Sequence, residues 1–286
     1  MLLPAVSCRR DDMSPEEARD ALRKEVQFTA SMDGYQVKGT DISFENGDAI
    51  GLYAQEPFTV ANLKATVQGD AVVPVEAVRW ELVRSAVFVA YYPYDPAYGS
   101  EPQFSFSVKK DQSTYDAYKA SDLRCAMALG KNGETVALPF RHMLSKLTVL
   151  ARCEDSAEEV TGVTLGSMTQ GIQLHVGDAW ELVTVGSGSK ITAGKAVAGN
   201  GNEGYVAIVV PQSLSELPIT VTTSKGQTQV FHPSEPLSFE SGYAYTTSML
   251  TVPKKETPVG SPLTFTVSIT DWGDGGSMDF HRGKTN

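Results

Sequence analysis

Cysteine, histidine and positive charge are all scarce in this sequence. Its three cysteines, Cys8, Cys125 and Cys153, form no C-x-x-C, and His142, His175, His232 and His281 form no H-x-x-x-H. No zinc-ligand spacing is therefore present, and neither metal nor cofactor is expected. Lys and Arg number 24 against 34 Asp and Glu, for a net charge of −10. That balance opposes a polyanionic partner, because phosphate binding needs a basic surface that releases counterions, so no nucleic acid is expected. No apolar run approaches the roughly 20 residues a membrane-spanning helix needs. What is present is a foldable composition, 41% hydrophobic and 20% charged over 286 residues. At roughly 100 to 200 residues per domain, that length predicts about two domains.

Catalytic signatures are missing as well. No G-x-S-x-G and no glycine-rich loop opening a helix occurs, and neither internal cysteine carries a dyad signature, so the chain is not expected to be an enzyme. The carboxylates are scattered, and a solvated surface accounts for most of them; a glycosidase pair would need a spatial separation of about 5 to 10 Å that spacing alone does not show. His142, after Phe140-Arg141, reads as a structural histidine bonded to backbone rather than a base. Cys125 and Cys153 either pair in an oxidising compartment or stay as buried free thiols.

The first eight residues, Met-Leu-Leu-Pro-Ala-Val-Ser-Cys8, resemble the end of a bacterial lipoprotein signal, in which Cys8 takes the lipid. Ala5 stands where Leu is usual and no basic region precedes it, so the signal is expected to begin upstream of Met1; an ordinary apolar N-terminus is the alternative. From Ser14 a helix is predicted to about Glu25, with Ser14 as cap, Pro15 at the first position and Glu17 completing a capping box. Its thin apolar face suits a tether between membrane and folded body.

From Val26 the period becomes two. Val26, Phe28, Ala30 and Met32 alternate with polar residues, as in a half-buried strand. Similar segments recur to the end, among them 42–45, 49–54, 63–68, 86–91, 104–108, 134–140, 146–153, 160–165, 179–185, 204–210, 219–223, 228–232, 243–250 and 263–270. Turn sequences such as Glu45-Asn-Gly-Asp48 and Lys131-Asn-Gly133 separate them. Many short strands with turns predict an all-β chain of sandwiches or barrels, with no strong helix after residue 25. We divide it into a tether (1–25), an N-terminal β-sandwich (26–139) and a C-terminal β-sandwich (140–286), tightly joined because no linker composition marks the boundary.

Several segments together carry a family resemblance. Phe44-Glu-Asn-Gly-Asp48-Ala-Ile-Gly-Leu-Tyr-Ala54, Trp80, Val87-Phe-Val-Ala-Tyr-Tyr-Pro-Tyr94, Asp111-Gln112, Ser121-Asp-Leu-Arg-Cys-Ala-Met-Ala128, Val136-Ala-Leu-Pro-Phe-Arg-His-Met-Leu-Ser-Lys-Leu-Thr-Val149, Val209-Val-Pro-Gln212 and Ser241-Gly-Tyr-Ala-Tyr245 follow in order. The series, over roughly residues 26 to 272, resembles the fimbrillins, surface lipoproteins of Bacteroidetes. The resemblance implies two transthyretin-like β-sandwich domains in tandem and a structural or adhesive subunit of a cell-surface fimbria. It also implies an outer-membrane lipoprotein precursor, held in lipid through Cys8, whose partners are other fimbrial subunits.

In polymerising members of that family a trypsin-like protease removes the first strand and another subunit's strand fills the groove. Here the displaced strand corresponds to Val26, Phe28, Ala30 and Met32, and the donor candidates in 263–270 are Leu263, Phe265, Val267 and Ile269. The processing candidate is Lys38 in Val37-Lys38-Gly39-Thr40, where such subunits often carry arginine, so an uncleaved anchor, tip or accessory subunit is a second reading of the same resemblance. The alternative function is a non-polymerising surface lipoprotein that binds glycan or host protein through Tyr91, Tyr92, Tyr94 and Tyr98, tyrosine offering an apolar ring with a polar tip. Packing is the other reading of those tyrosines, as is a plain last strand for 263–270, and Asp271-Trp-Gly-Asp-Gly reads as a turn rather than a calcium loop.

Overall fold

The computed structural model describes residues 16, 24–32, 44–54, 58–80, 83–176, 180–197, 203–254, 263–272 and 279–280. Glu16 is helical and Lys24 and Glu25 are not, while the rest of the expected helix lies outside the described residues.

From Phe28 to His142 the described residues form eight strands and one short helix: β1 (Phe28–Met32), β2 (Ala49–Ala54), β3 (Val60–Gln68), β4 (Ala71–Pro74), β5 (Ser85–Tyr92), β6 (Gln103–Ser107), α1 (Tyr115–Lys119), β7 (Arg124–Lys131) and β8 (Val136–His142). Seven of the strands form a closed barrel in the order β1-β4-β3-β2-β5-β7-β8. The strands expected in an N-terminal sandwich close into one ring, because β1 pairs with both β4 and β8. Closure leaves no free edge in the ring, which removes the liability of an unpaired strand.

The barrel interior is one apolar cluster built around Phe28, Ile50, Leu52, Trp80, Phe88, Leu138 and Phe140. Alternation along β5 sends Phe88, Ala90 and Tyr92 into that cluster and Val89 and Tyr91 to the opposite face, into a second core. One strand thus serves two cores, which is why its burial is nearly continuous.

The second half is built from β9 (Ser145–Val149), β10 (Ala151–Cys153), β11 (Val160–Val176), β12 (Trp180–Thr192), β13 (Gly194–Val197), β14 (Glu203–Val209), β15 (Gln212–Leu214), β16 (Ile219–Thr223), β17 (Thr228–Pro233), β18 (Leu237–Phe239), β19 (Tyr243–Thr247), β20 (Leu250–Val252), β21 (Leu263–Phe265), β22 (Val267–Asp271) and β23 (Asp279–Phe280). Two larger sheets run β12-β11-β16-β17-β21, with β6 also on β11, and β22-β19-β9-β14-β13-β23. Val163, Leu165 and Ile172 of the first share one core with Leu147, Val206, Ile208 and Tyr245 of the second.

The halves are joined by more than the chain. β6 precedes the boundary in sequence yet pairs antiparallel with β11, from Gln103↔His175 to Ser107↔Gly171. Tyr53, Val89, Tyr91 and Cys125 on the outer face of the barrel belong to the second core.

Two elements differ from the sequence reading for clear reasons. β7 (RCAMALGK) shows no alternation because Arg124, Cys125 and Ala126 are buried in succession, between one core and the other. α1, capped by the Thr114 hydroxyl that accepts from the Ala117 N–H, is five residues long, too short to display a helical period.

Candidate functional site

The barrel closes on its first strand. β1 meets β4 antiparallel through Phe28↔Val72 and Thr29↔Ala71, and β8 parallel through five pairs, from Phe28↔Val136 to Met32↔Phe140. Val26 and Phe28 are buried, Ala30 and Met32 are half-buried, and Gln27 and Ser31 are exposed. Phe28 packs edge-on against Phe88 at 5.1 Å. Just before the strand, the Val26 N–H donates to the Val78 carbonyl at 2.8 Å, and Glu25 forms an exposed ion pair with Arg79 at 3.0 Å. Removing this strand would leave β4 and β8 as two edges facing an apolar interior. Lys38 and Cys8 lie outside the described residues.

The segment read as a donor is not one strand. At Thr266 the chain changes sheets: β21 lies parallel to β17, and β22 lies antiparallel to β19. Leu263 and Val267 are half-buried and Phe265 is buried, while Ile269 is 58% exposed, so the four do not form one apolar face. After β22 the chain ends its described run on Trp272, which is 1% exposed.

The four tyrosines do not form an open platform either. Tyr91 and Tyr92 are buried on opposite faces of β5, and Tyr94 and Tyr98 are half-buried. The Tyr91 ring crosses Gly51, where a Cβ would come within 1.9 Å of a ring carbon, so this position tolerates no side chain. The Tyr91 hydroxyl donates to Asn62 Oδ1 at 2.6 Å and accepts from the Asp95 N–H at 3.1 Å. Asn62, at φ 48°, donates in turn from Nδ2 to the carbonyls of Asp95 (3.0 Å) and Tyr98 (2.9 Å). Centroids of Tyr91 and Tyr98 lie 4.6 and 5.2 Å from that of Phe104 on β6. The cluster fastens the 93–107 crossover to the barrel, and burial raises the Tyr53 hydroxyl to about 12 and pushes Tyr91 up in the same direction.

A charged joint lies where barrel and second body meet. Asp122 accepts from Arg124 Nε at 2.6 Å and holds His142 Nδ1 at 2.7 Å, all three buried. His142 is thus bonded to a carboxylate, where a backbone partner was expected. Its ring stacks on Trp272 at 3.8 Å and 3°, and His142 Nε2 and Trp272 Nε1 are buried without a hydrogen-bond partner among the described residues. Burial lowers the imidazole pKa, helped by Arg124 and Lys146 against the pull of Asp122. Burial alone would raise Asp122, but Arg124 and His142 outweigh it and hold the carboxyl at about 2. No sequence spacing flagged Asp122, Arg124 and Trp272, since the three meet only through the fold. Cys125 and Cys153 are free thiols, and burial pushes the Cys125 thiol well above its usual range.

Comparison with known proteins places the chain. Residues 36–272 match the model of the fimbrillin-like family. A Bacteroides uniformis structure described as a cell adhesion protein is 22% identical, with TM-score 0.66, covering 87% of this chain and 98% of its own. One from Bacteroides ovatus is 19% identical, with TM-score 0.67 and the same coverage. One from Bacteroides fragilis is 12% identical, with TM-score 0.52, covering 87% of this chain and 97% of its own. At these identities the likeness is one of fold. No curated protein matches the sequence at a significant level. With the family model spanning 36–272, the chain belongs to the fimbrillin-like family.

Proposed function

We propose that this chain is a fimbrial subunit, structural or adhesive, carried to the outer membrane as a lipoprotein on Cys8 and assembled by strand exchange after proteolysis near Lys38. Membership of a structural and adhesive family supports a cell-surface fimbrial role with other subunits as partners. The observation that carries the finer reading is the position of β1: it is the terminal strand of the barrel and closes it through both edges. Its loss forfeits about 1.5 to 3 kcal/mol for each large side chain removed from the core. Summed over Val26, Phe28 and half-buried Met32 that is several kcal/mol, a large part of a domain's whole stability of about 5 to 15 kcal/mol, so the gap must be refilled. Refilling needs a strand that offers edge hydrogen bonds and alternating apolar pegs. Within 263–270, Leu263 and Phe265 would have to leave β17, and Val267 and Ile269 would have to leave β19, to act so.

The test is an unboiled denaturing gel of native surface material, probed for this chain before and after trypsin-like cleavage. A ladder that collapses on heating is expected. A single monomer band under both conditions overturns strand exchange and leaves a non-polymerising surface protein.

A further inference from the structure

The far end of β22 depends on one ring. Within the strand Val267 is half-buried and the other residues are exposed, and among the described residues β19 is the strand it pairs with. Trp272 follows directly and is buried, and its backbone N–H donates to the Gly242 carbonyl at 2.9 Å. The Gly242 N–H donates in turn to the Leu144 carbonyl at 2.9 Å, and the Ser241 hydroxyl to that of Met143 at 2.8 Å. Trp272 is thus tied to a turn that is itself tied to the chain just after β8, and its indole lies flat on the His142 ring.

The ring beneath the indole is a titratable one. Asp122 holds His142 Nδ1 at 2.7 Å and is ionised above about pH 2, so in the neutral imidazole the proton sits on Nδ1 and Nε2 carries a bare lone pair. A proton taken up from acid therefore lands on Nε2, which is buried and has no hydrogen-bond partner among the described residues. The charged groups acting on the ring are Asp122, just before β7, Arg124 on β7 and Lys146 on β9, while Trp272 faces it uncharged. Asp122 already accepts from Arg124 Nε through its other oxygen at 2.6 Å, so it compensates a second cation only in part. An indole face by itself attracts a cation. Burial, Arg124 and Lys146 work against that charge, and the imidazole pKa lies below its usual 6.5. Opening the stack returns both His142 Nε2 and the equally unpartnered Trp272 Nε1 to water.

We propose that the His142–Trp272 stack is an acid-sensitive latch: a proton on His142 Nε2 favours a state in which Trp272 has left its seat and the end of β22 has come off β19, with both cores still folded. The latch needs neither strand exchange nor a second copy. Its opening uncovers one edge of β19 and leaves the β19–β9 pairing in place.

Native-state amide exchange of the full chain from about pH 7 to about pH 5 tests the latch, each rate taken relative to the unprotected rate at the same pH. The Trp272 amide is expected to exchange at least about tenfold faster than those of Phe88 in the barrel and Val206 in the second core, and to be insensitive to low urea, because a local opening exposes little surface. Exchange at Phe88 and Val206 is expected to rise with urea, as opening of a whole core does. Below the usual 6.5 of His142 the Trp272 rate is expected to climb by up to about tenfold per pH unit, the limit for uptake of one proton. His142→Gln keeps a hydrogen-bonding group toward Asp122 but takes up no proton, and is expected to make the Trp272 rate independent of pH. Should that variant not fold, a ring-nitrogen NMR titration of the unaltered chain replaces it, with the Trp272 exchange profile expected to follow the protonation of His142. A Trp272 amide that responds to urea as steeply as Val206, a rate that does not change with pH, or a pH profile that persists in His142→Gln or departs from the His142 titration overturns the latch.

Discussion

β1 and β22, near opposite ends of this chain, are held in different ways. β1 is paired on both edges and turns Val26 and Phe28 into the barrel core. β22 is an edge strand paired only with β19, its residues exposed apart from half-buried Val267, and its far end is fixed by Trp272 on His142. Loss of β1 opens a core, whereas loss of β22 exposes little beyond its anchor. A strand that leaves behind an apolar gap creates demand for a replacement; an edge strand creates none.

Truncation tests this difference most strongly. Phe28→Ala and Trp272→Ala are each expected to destabilise by about 3 to 5 kcal/mol, because both side chains are buried and leave cavities. Urea midpoints at constant m-value measure it, and a loss below about 1 kcal/mol at Phe28 would contradict the closure account.

Acid should act next, and through the Trp272 anchor. The His142 pKa is below its usual 6.5 in the folded chain, so the unfolded chain takes up a proton first and stability falls as pH drops below 6.5. Asp122 adds a second loss: its contribution is complete above the usual 3.8 and disappears as pH falls through about 2. Urea titrations over this range should show His142→Gln flattening the loss that begins near 6.5, while an unchanged slope would remove His142 from the account. The smallest effect is expected at the exposed strand, where Ile269→Ala should stay within about 0.5 kcal/mol by the same urea measurement.

Legibility followed burial pattern. β2 and β16 occupy the ranges read from the sequence, 49–54 and 219–223, because each is an unbroken apolar or alternating run. β11 was read as 160–165 but extends to Val176, since Gly166 and Gly171 interrupt the pattern where its partner changes from β16 to β6. The run 263–270 alternates perfectly and still breaks at Thr266, because two different sheets offer edges at that point. The tyrosines around Pro93 were visible as a cluster, but their packing role depends on Asn62 and Phe104, far away in sequence.

The amino-acid sequence by itself determined the all-β class, the half-buried first strand and the family resemblance, because period-two alternation and collinear segments are local properties. Only the tertiary structure decided that β1 closes a ring and that Asp122, His142 and Trp272 form one joint. These depend on which distant residues meet, and strand order and register are settled by burying all faces at once.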